Sequence, residues 1–442
     1  MHRIKEYLKS KEFSQLHASP LVNILKQFSE SEFDVAIKLI PATLLGDVAL
    51  ALPDRFINQI INTSDIDVLS TALNSLESDD QVKMIQEIEE VDEQKAKILF
   101  KRLSIKDQQD IQKLKTYDEN KAGSYMQTEL FGANLNENVH DVIKRFAKLK
   151  KSGDLEHIQN LFITDDKNVL KYTIGLDDLL VFEFKKSLIE NIQDSKDNFD
   201  VIWARDTNEI KDVVYSFEQY DLSVMPIVDR YGILIGRITS DDIYDIINEQ
   251  ATKQIYNLAG VNDDAEEDED IYKSTKTRAV WLGINLFTAI IASVVIGLFT
   301  DTLETIVALA VLMPIVASMG GNAGTQSLTV AVRQLAIGEI DQRDTKRVIK
   351  KELIIALFNG AIFGFAIGAV SYIWFDIPYL GFVIAISMVI NIVIAGFFGA
   401  TIPLMLQKYE IDPAIGSTVV LTTITDVVGF FVFLWLATLI LL

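Results

Sequence analysis

Hydrophobic and polar positions change their rhythm twice along the chain. Over residues 1–120, apolar residues recur at i, i+3, i+4 and i+7, as in PATLLGDVALALPDRFINQII and DDQVKMIQEIEEVDEQKAKILFKRL. That period predicts short amphipathic helices stacked as hairpins, with no strand among them. From about residue 125, short β-branched runs alternate with helical ones: NLFITDDKN is followed by VLKYTIGLDDLL, and SVMPIVDRYGILIGRITSDDIYDII repeats the theme about 63 residues later. The second copy reads as strand, turn, strand and helix, with Asp229 and Gly232 supplying the turn. Beyond Lys276 the pattern becomes almost wholly apolar, in five segments at about 279–299, 303–332, 353–375, 379–405 and 413–441. Most reach the roughly 20 residues a helix needs to cross hydrocarbon.

Charge fixes the direction of these spans. Lys273, Lys276 and Arg278 precede the first, Arg333 to Lys351 lie at or between the second and third, and Lys408 lies between the fourth and fifth. The opposite flanks, TDTLE, FDIPYL and the C-terminus, carry no lysine or arginine. The inside-positive rule then places residues 1–278 in the cytoplasm and the C-terminus outside. The opening MHRIKEYLKS lacks the apolar core of a signal peptide.

Within the last span, Asp426 is the only charge in PAIGSTVVLTTITDVVGFFVFLWLATLILL. A carboxylate at mid-membrane costs roughly 2.5–3.5 kcal/mol even on the mildest scale and marks function by default. Thr418, Thr422, Thr425, Asp426 and Gly429 fall on one helical face. Two uses of Asp426 fit: a protonated group hydrogen-bonded in a bundle, or an ion ligand on a wet path. In the second span, Pro314 removes a backbone donor and Gly320, Gly321 and Gly324 loosen the chain, with Asn322 and Gln326 adding polarity. This predicts a broken helix whose freed carbonyls line an ion path, with a glycine-rich kink that serves packing alone as the second reading. In the third span Gly360, Gly364 and Gly368 recur every four residues and predict close helix packing. Interhelical hydrogen bonds account for Asn359 and Asn391.

Composition excludes several classes. Of 442 residues, 49% are apolar, yet residues 1–278 hold 34 Lys/Arg against 52 Asp/Glu, a net charge of −18. So acidic a body does not bind nucleic acid and suits divalent cations. With no cysteine there are neither disulfides nor thiolate metal sites. The four histidines, His2, His17, His140 and His157, are scattered through the acidic part and read as surface residues. The run DDAEEDED at 263–270 reads as a solvated linker, with metal sensing as a second use. No nucleophile–base set or phosphate loop appears, so the chain is not expected to be an enzyme.

Four stretches together resemble one family, the MgtE magnesium channels: MPIVASMGGNAGTQS, EIDPA with TTITDVVG, KTYDENKAGSYM, and MPIVDRYGILIGRITSDDIYDII, the last similar to a CBS half-repeat. The resemblance implies an all-α superhelical N-terminal domain (1–120), an α/β tandem CBS pair (121–250), a connecting helix with acidic linker (251–278) and an α-helical five-span membrane domain (279–442). It further implies a homodimer in the cytoplasmic membrane with one pore on its two-fold axis. In that pore Asp426 and the carbonyl of Thr422 hold hydrated Mg²⁺, and Pro314, Gly320, Gly321, Asn322, Gly324, Gln326 and Thr425 line the path. By the same resemblance cytosolic Mg²⁺ closes the pore by bridging acidic groups, Asp412 among them. Here the sequence departs: Ala251-Thr252-Lys253-Gln254 stands where the family tends to read A-T-E-D, and Thr300 follows Phe299 where a family glutamate is expected. Asp412 is therefore open between a metal bridge and an N-cap before Pro413. The second CBS repeat keeps a T-x-x-D ending, Thr239 to Asp242, while the first, Tyr172 to Asp178, lacks the usual glycine and hydroxyl positions. Nucleotide binding is therefore not expected. A carrier coupled to Na⁺ or H⁺, and a membrane-tethered CBS sensor, remain as alternative functions.

Overall fold

The computed structural model describes all residues except 1, 11–15, 153–157, 196–198, 262–270, 341 and 410. The acidic run at 263–270 and His157 lie outside the described residues; His2, His17 and His140 are exposed. The chain forms two units, Met1–Asn248 and Glu249–Leu442, and the helix Ser240–Ala259 carries it from one to the other.

The first unit begins with short helices from His2–Ser10 to Ile105–Leu114. Polar side chains start several of them. Asp92 accepts hydrogen bonds from the backbone N–H groups of Gln94 and Lys95, and Ser104 accepts one from Asp107. The buried faces carry the expected residues, among them Leu45, Val48, Leu69, Leu73, Ile85 and Ile88. Two three-stranded sheets follow. In the first, β1 (Gly132–Asn134) runs parallel to β2 (Asn160–Thr164), which pairs antiparallel with β3 (Leu170–Gly175). In the second, β4 (Ala204–Arg205), β5 (Val224–Val228) and β6 (Leu234–Thr239) repeat the arrangement. The turns repeat too. Asp165 Oδ1 accepts from the N–H groups of Lys167 and Val169, and Asp229 Oδ1 from those of Tyr231 and Ile233. Gly232 takes the left-handed conformation (φ 81°), and Asn168 takes the same place in the first repeat (φ 60°). One apolar core joins the N-terminal helices to the second sheet through Met225, Ile227, Ile238 and Ile243.

The second unit contains five helices long and apolar enough to cross a membrane: Ser274–Gly297, Ala308–Ala336, Thr345–Phe375, Tyr379–Lys408 and Ser417–Leu441. They are called the first to fifth spans below. The third and fourth meet along the predicted glycine stripe. A Cβ on Gly364 would stand 2.7 Å from the Ala385 carbonyl oxygen, and one on Gly368 2.8 Å from that of Gly381. The second span corrects an expectation: it is one unbroken helix, with Pro314 inside it. Its glycines serve close approach instead of a chain break. Gly320 faces Asn391 of the fourth span, and Gly324 faces Leu421 of the fifth. The fifth span is corrected at its start, which is Ser417 and not Pro413. Gly416 has φ 64° and packs against the Trp281 indole, so the chain turns there before helix begins.

Candidate metal centre

Asp426 lies ten residues into the fifth span and is half-buried. Among the described residues its carboxylate accepts no hydrogen bond and forms no ion pair. Around it the threonine stripe divides. Thr425 and Gly429 are buried against neighbouring helices, while Thr418, Thr422 and Asp426 stand half-exposed along one edge. The Thr422 hydroxyl bonds back to the Thr418 carbonyl at 3.0 Å, and Thr425 Oγ1 donates to the Thr422 carbonyl at 3.0 Å.

The second span runs beside this edge: a Cβ on Gly321 would stand 4.0 Å from Thr422 Cγ2. On its outward face Pro314, Ser318, Asn322 and Gln326 recur every four residues, all exposed. Asn322 Nδ2 donates to Ser318 Oγ at 3.3 Å. The residues expected on a wet path therefore part company. Pro314, Asn322 and Gln326 share one exposed stripe and Gly321 is half-exposed, whereas Gly320, Gly324 and Thr425 are buried inside the chain's own bundle. Gly320 and Gly324 are committed to helix contacts, so their backbones face neighbouring side chains. Asn391, fully buried, donates from Nδ2 to the Val316 carbonyl at 2.9 Å, as the interhelical account requires. Asn359 makes no side-chain hydrogen bond to the described residues.

At the fifth span's entry, Asp412 Oδ1 accepts from the Ala414 N–H at 2.8 Å. Its Oδ2 accepts from Asn257 Nδ2 at 3.0 Å, in the last turn of the connecting helix. Asp412 thus caps the turn before the helix, not the helix itself. Thr418 Oγ1 donates to the Leu258 carbonyl at 2.8 Å. These contacts roof a cavity of about 250 Å³ that Asn285, Thr418 and Thr422 also line.

The first unit holds a cluster that the helical period concealed. Glu77, Asp79 and Asp80 begin one helix, and Asp242 begins another. Asp79 is 3% exposed and its Oδ1 has no partner. Burial, and then the Asp242 charge, push its carboxyl well above the usual range. Burial raises Glu77 to about 7 against the opposing pull of Arg237. Arg237 is 2% exposed and donates from Nε to Gln127 at 3.2 Å, and Gln127 donates to Asp242 at 3.1 Å. The repeated acidic doublet after serine, SDD at 78–80 and again at 240–242, was the only signal in the sequence. Among the described residues no three His, Asp or Glu side chains converge as a ready metal cage.

The chain matches the family described as divalent cation transporter MgtE over residues 313–436, the MgtE intracellular N domain over 16–120 and the CBS domain over 196–249. It is similar to the magnesium transporter MgtE of Thermus thermophilus, 30% identical over 75% of this chain and 72% of that one. The Bacillus subtilis magnesium transporter MgtE is 28% identical over 96% and 92% of the two chains. That of Enterococcus faecalis is 32% identical over 73% and 70%. Among solved structures, the cytosolic domain of the Mg²⁺ channel MgtE in complex with ATP covers 55% of this chain and 98% of its own, at 24% identity and a TM-score of 0.48.

Proposed function

The chain belongs to the MgtE family, and we propose that it is a homodimeric, Mg²⁺-selective channel of the cytoplasmic membrane that takes up Mg²⁺ down the membrane potential. The observation that carries this reading is the unpartnered, half-exposed Asp426 carboxylate beside an exposed polar stripe at membrane depth. A polar stripe facing lipid is costly. A stripe facing a second copy across a wet path is not. Among the described residues no three carboxylates converge on one ion site, which suits an ion that keeps its water. Mg²⁺ demands octahedral oxygen geometry and sheds water reluctantly. Two Asp426 carboxylates related by a dimer axis, with Thr422 carbonyls one turn away, would grip that water shell. Charge and shell size then select against Na⁺ and K⁺. In this reading residues 1–278 lie in the cytoplasm, and the acidic soluble unit tunes the pore in response to cytosolic Mg²⁺.

The test is Mg²⁺ flux in proteoliposomes. Asp426→Ala should abolish it, and undiminished flux would remove Asp426 from the pathway. Single-channel steps in planar bilayers distinguish a channel from a carrier. Flux that saturates and requires a Na⁺ or H⁺ gradient would replace the channel by coupled transport.

A further inference from the structure

Asn391 is the one fully buried amide in the membrane unit among the described residues, and it stands where three helices meet. It lies mid-way along the fourth span. Its Nδ2 donates to the Val316 carbonyl of the second span. It reaches that carbonyl across Gly320, where any Cβ would collide with Nδ2. On its other side, a Cβ on Gly429 of the fifth span would come within 2.7 Å of the same nitrogen. The amide is therefore clasped between two glycine slots on two different helices. Those slots adjoin the polar faces described above. Gly320 is two residues before Asn322, and Gly429 is three residues after Asp426, one turn along the same helix. The fourth span itself has no part in either face.

The chemistry of the amide bears on its purpose. Its Oδ1 has no partner, although it is buried. A leucine would fill an apolar span without leaving an acceptor unsatisfied, and a packing role needs no donor. What an amide adds is a directed bond to one backbone carbonyl at a fixed height on the second span.

We propose that Asn391 is a positioning residue for ion selection: it sets the separation between the Ser318–Asn322 face of the second span and the Thr422–Asp426 face of the fifth. The inference rests on the Mg²⁺-channel reading and deepens it. A site that recognises an ion by its water shell reads distance, and such constellations must be held to within about half an ångström. Asn391 touches no ion in this scheme; it holds the two walls that do.

The experiment compares Asn391→Leu, Asn391→Ser and Asp426→Ala in the full-length protein, reading Mg²⁺ flux, the Mg²⁺-to-Ca²⁺ flux ratio and thermal stability in detergent. Serine folds readily in membrane helices by bonding to its own preceding turn, so it serves where leucine fails to reach the membrane. Gly429→Ala displaces the same amide from the other side. The expected result is a fold as stable as the parent, Mg²⁺ flux lower by about tenfold or more, and a Mg²⁺-to-Ca²⁺ ratio that collapses in both Asn391 variants. Gly429→Ala should lower the ratio in the same sense. Parental flux and ratio in the Asn391 variants, with flux abolished by Asp426→Ala, overturn the inference and leave the channel reading intact. Parental flux in Asp426→Ala overturns the channel reading itself.

Discussion

Asn257 and Asp412 are joined directly, amide nitrogen to carboxylate oxygen at 3.0 Å. No divalent ion is needed between them, because the donor is an amide and not a second carboxylate. The other Asp412 oxygen is taken by Ala414, and Thr418 ties the Leu258 carbonyl to the fifth span beside it. The indole of Trp281 packs against both Gly260 and Gly416, at the two ends of this contact. A hydrogen bond to a charged group contributes about 1.5–3 kcal/mol, enough to change a closed-to-open ratio about tenfold or more. On the channel reading proposed above, Asn257→Ala is therefore predicted to raise open probability in nominally Mg²⁺-free solution, where a metal bridge would already be absent. Recordings at stepped cytosolic Mg²⁺ check this. An unchanged open probability at zero Mg²⁺ would show that the contact holds nothing shut.

A second prediction concerns pH. Glu77 and Asp79 ionise near 4 when unfolded, but burial raises both in the fold, Glu77 to about 7. The folded protein thus binds more protons across that interval. The associated stability is fully present below pH 4 and is lost as pH rises through the folded values. For Glu77, taken from 4.5 to about 7, the limit is about 3 kcal/mol. Melting of the purified protein should fall by several degrees between pH 5 and pH 8. Asp79→Asn, which removes a buried carboxyl whose Oδ1 lacks a partner, should weaken this pH dependence, with any gain in melting temperature growing as pH rises. A pH dependence as steep in this variant as in the parent would contradict the assignment.

Much of this was legible in the sequence where the signal is local. Five spans follow from uninterrupted apolar length, and Asp426 stands out because a charge there is expensive. The third-span glycines announced their packing by spacing alone. Errors arose where a residue's meaning depends on another helix. Gly320 and Gly324 read as chain breakers, yet each makes room for a side chain remote in sequence, Asn391 and Leu421. Thr425 shares a helical face with Asp426 but turns into the bundle, since neighbouring spans cover one edge of that face and leave the other open. The start of the fifth span moved to Ser417 because a left-handed Gly416 is invisible to hydropathy. Asn168 hid the first repeat's turn, as asparagine can take the conformation that glycine takes in the second.

The clefts of the paired repeats bear on nucleotides. One, of about 390 Å³, is lined by Asp177, Asp200 and Asp221, and its neighbour of about 260 Å³ by Glu77 and Asp241, with Arg237 already bonded to Glu77 and Gln127. A polyphosphate would enter a field of its own sign. A ligand at a hundred times its dissociation constant stabilises by about 2.7 kcal/mol, a shift easily read in a melt. Millimolar ATP without Mg²⁺ is therefore predicted to leave the melting temperature unchanged. A rise of several degrees would establish a nucleotide site in these clefts.

The glycines of the third span supply the last prediction, because the protein carries its own control. A methyl group on Gly364 would press within 2.7 Å of the Ala385 carbonyl oxygen, which is backbone and cannot swing aside. On Gly283, in the first span, the same methyl group would meet nothing within 4 Å. Intrinsic propensity favours alanine over glycine in both helices, by roughly 1 kcal/mol. Overpacking costs typically 1–3 kcal/mol, so it should outweigh that gain at Gly364 and be absent at Gly283. Gly364→Ala is thus expected to lower the melting temperature in detergent, and Gly283→Ala to leave it unchanged or raise it. Equal effects would mean that the third and fourth spans do not rely on backbone contact. A loss at Gly283 alone would reveal a close neighbour on the first span that one chain does not contain, as a second subunit would provide.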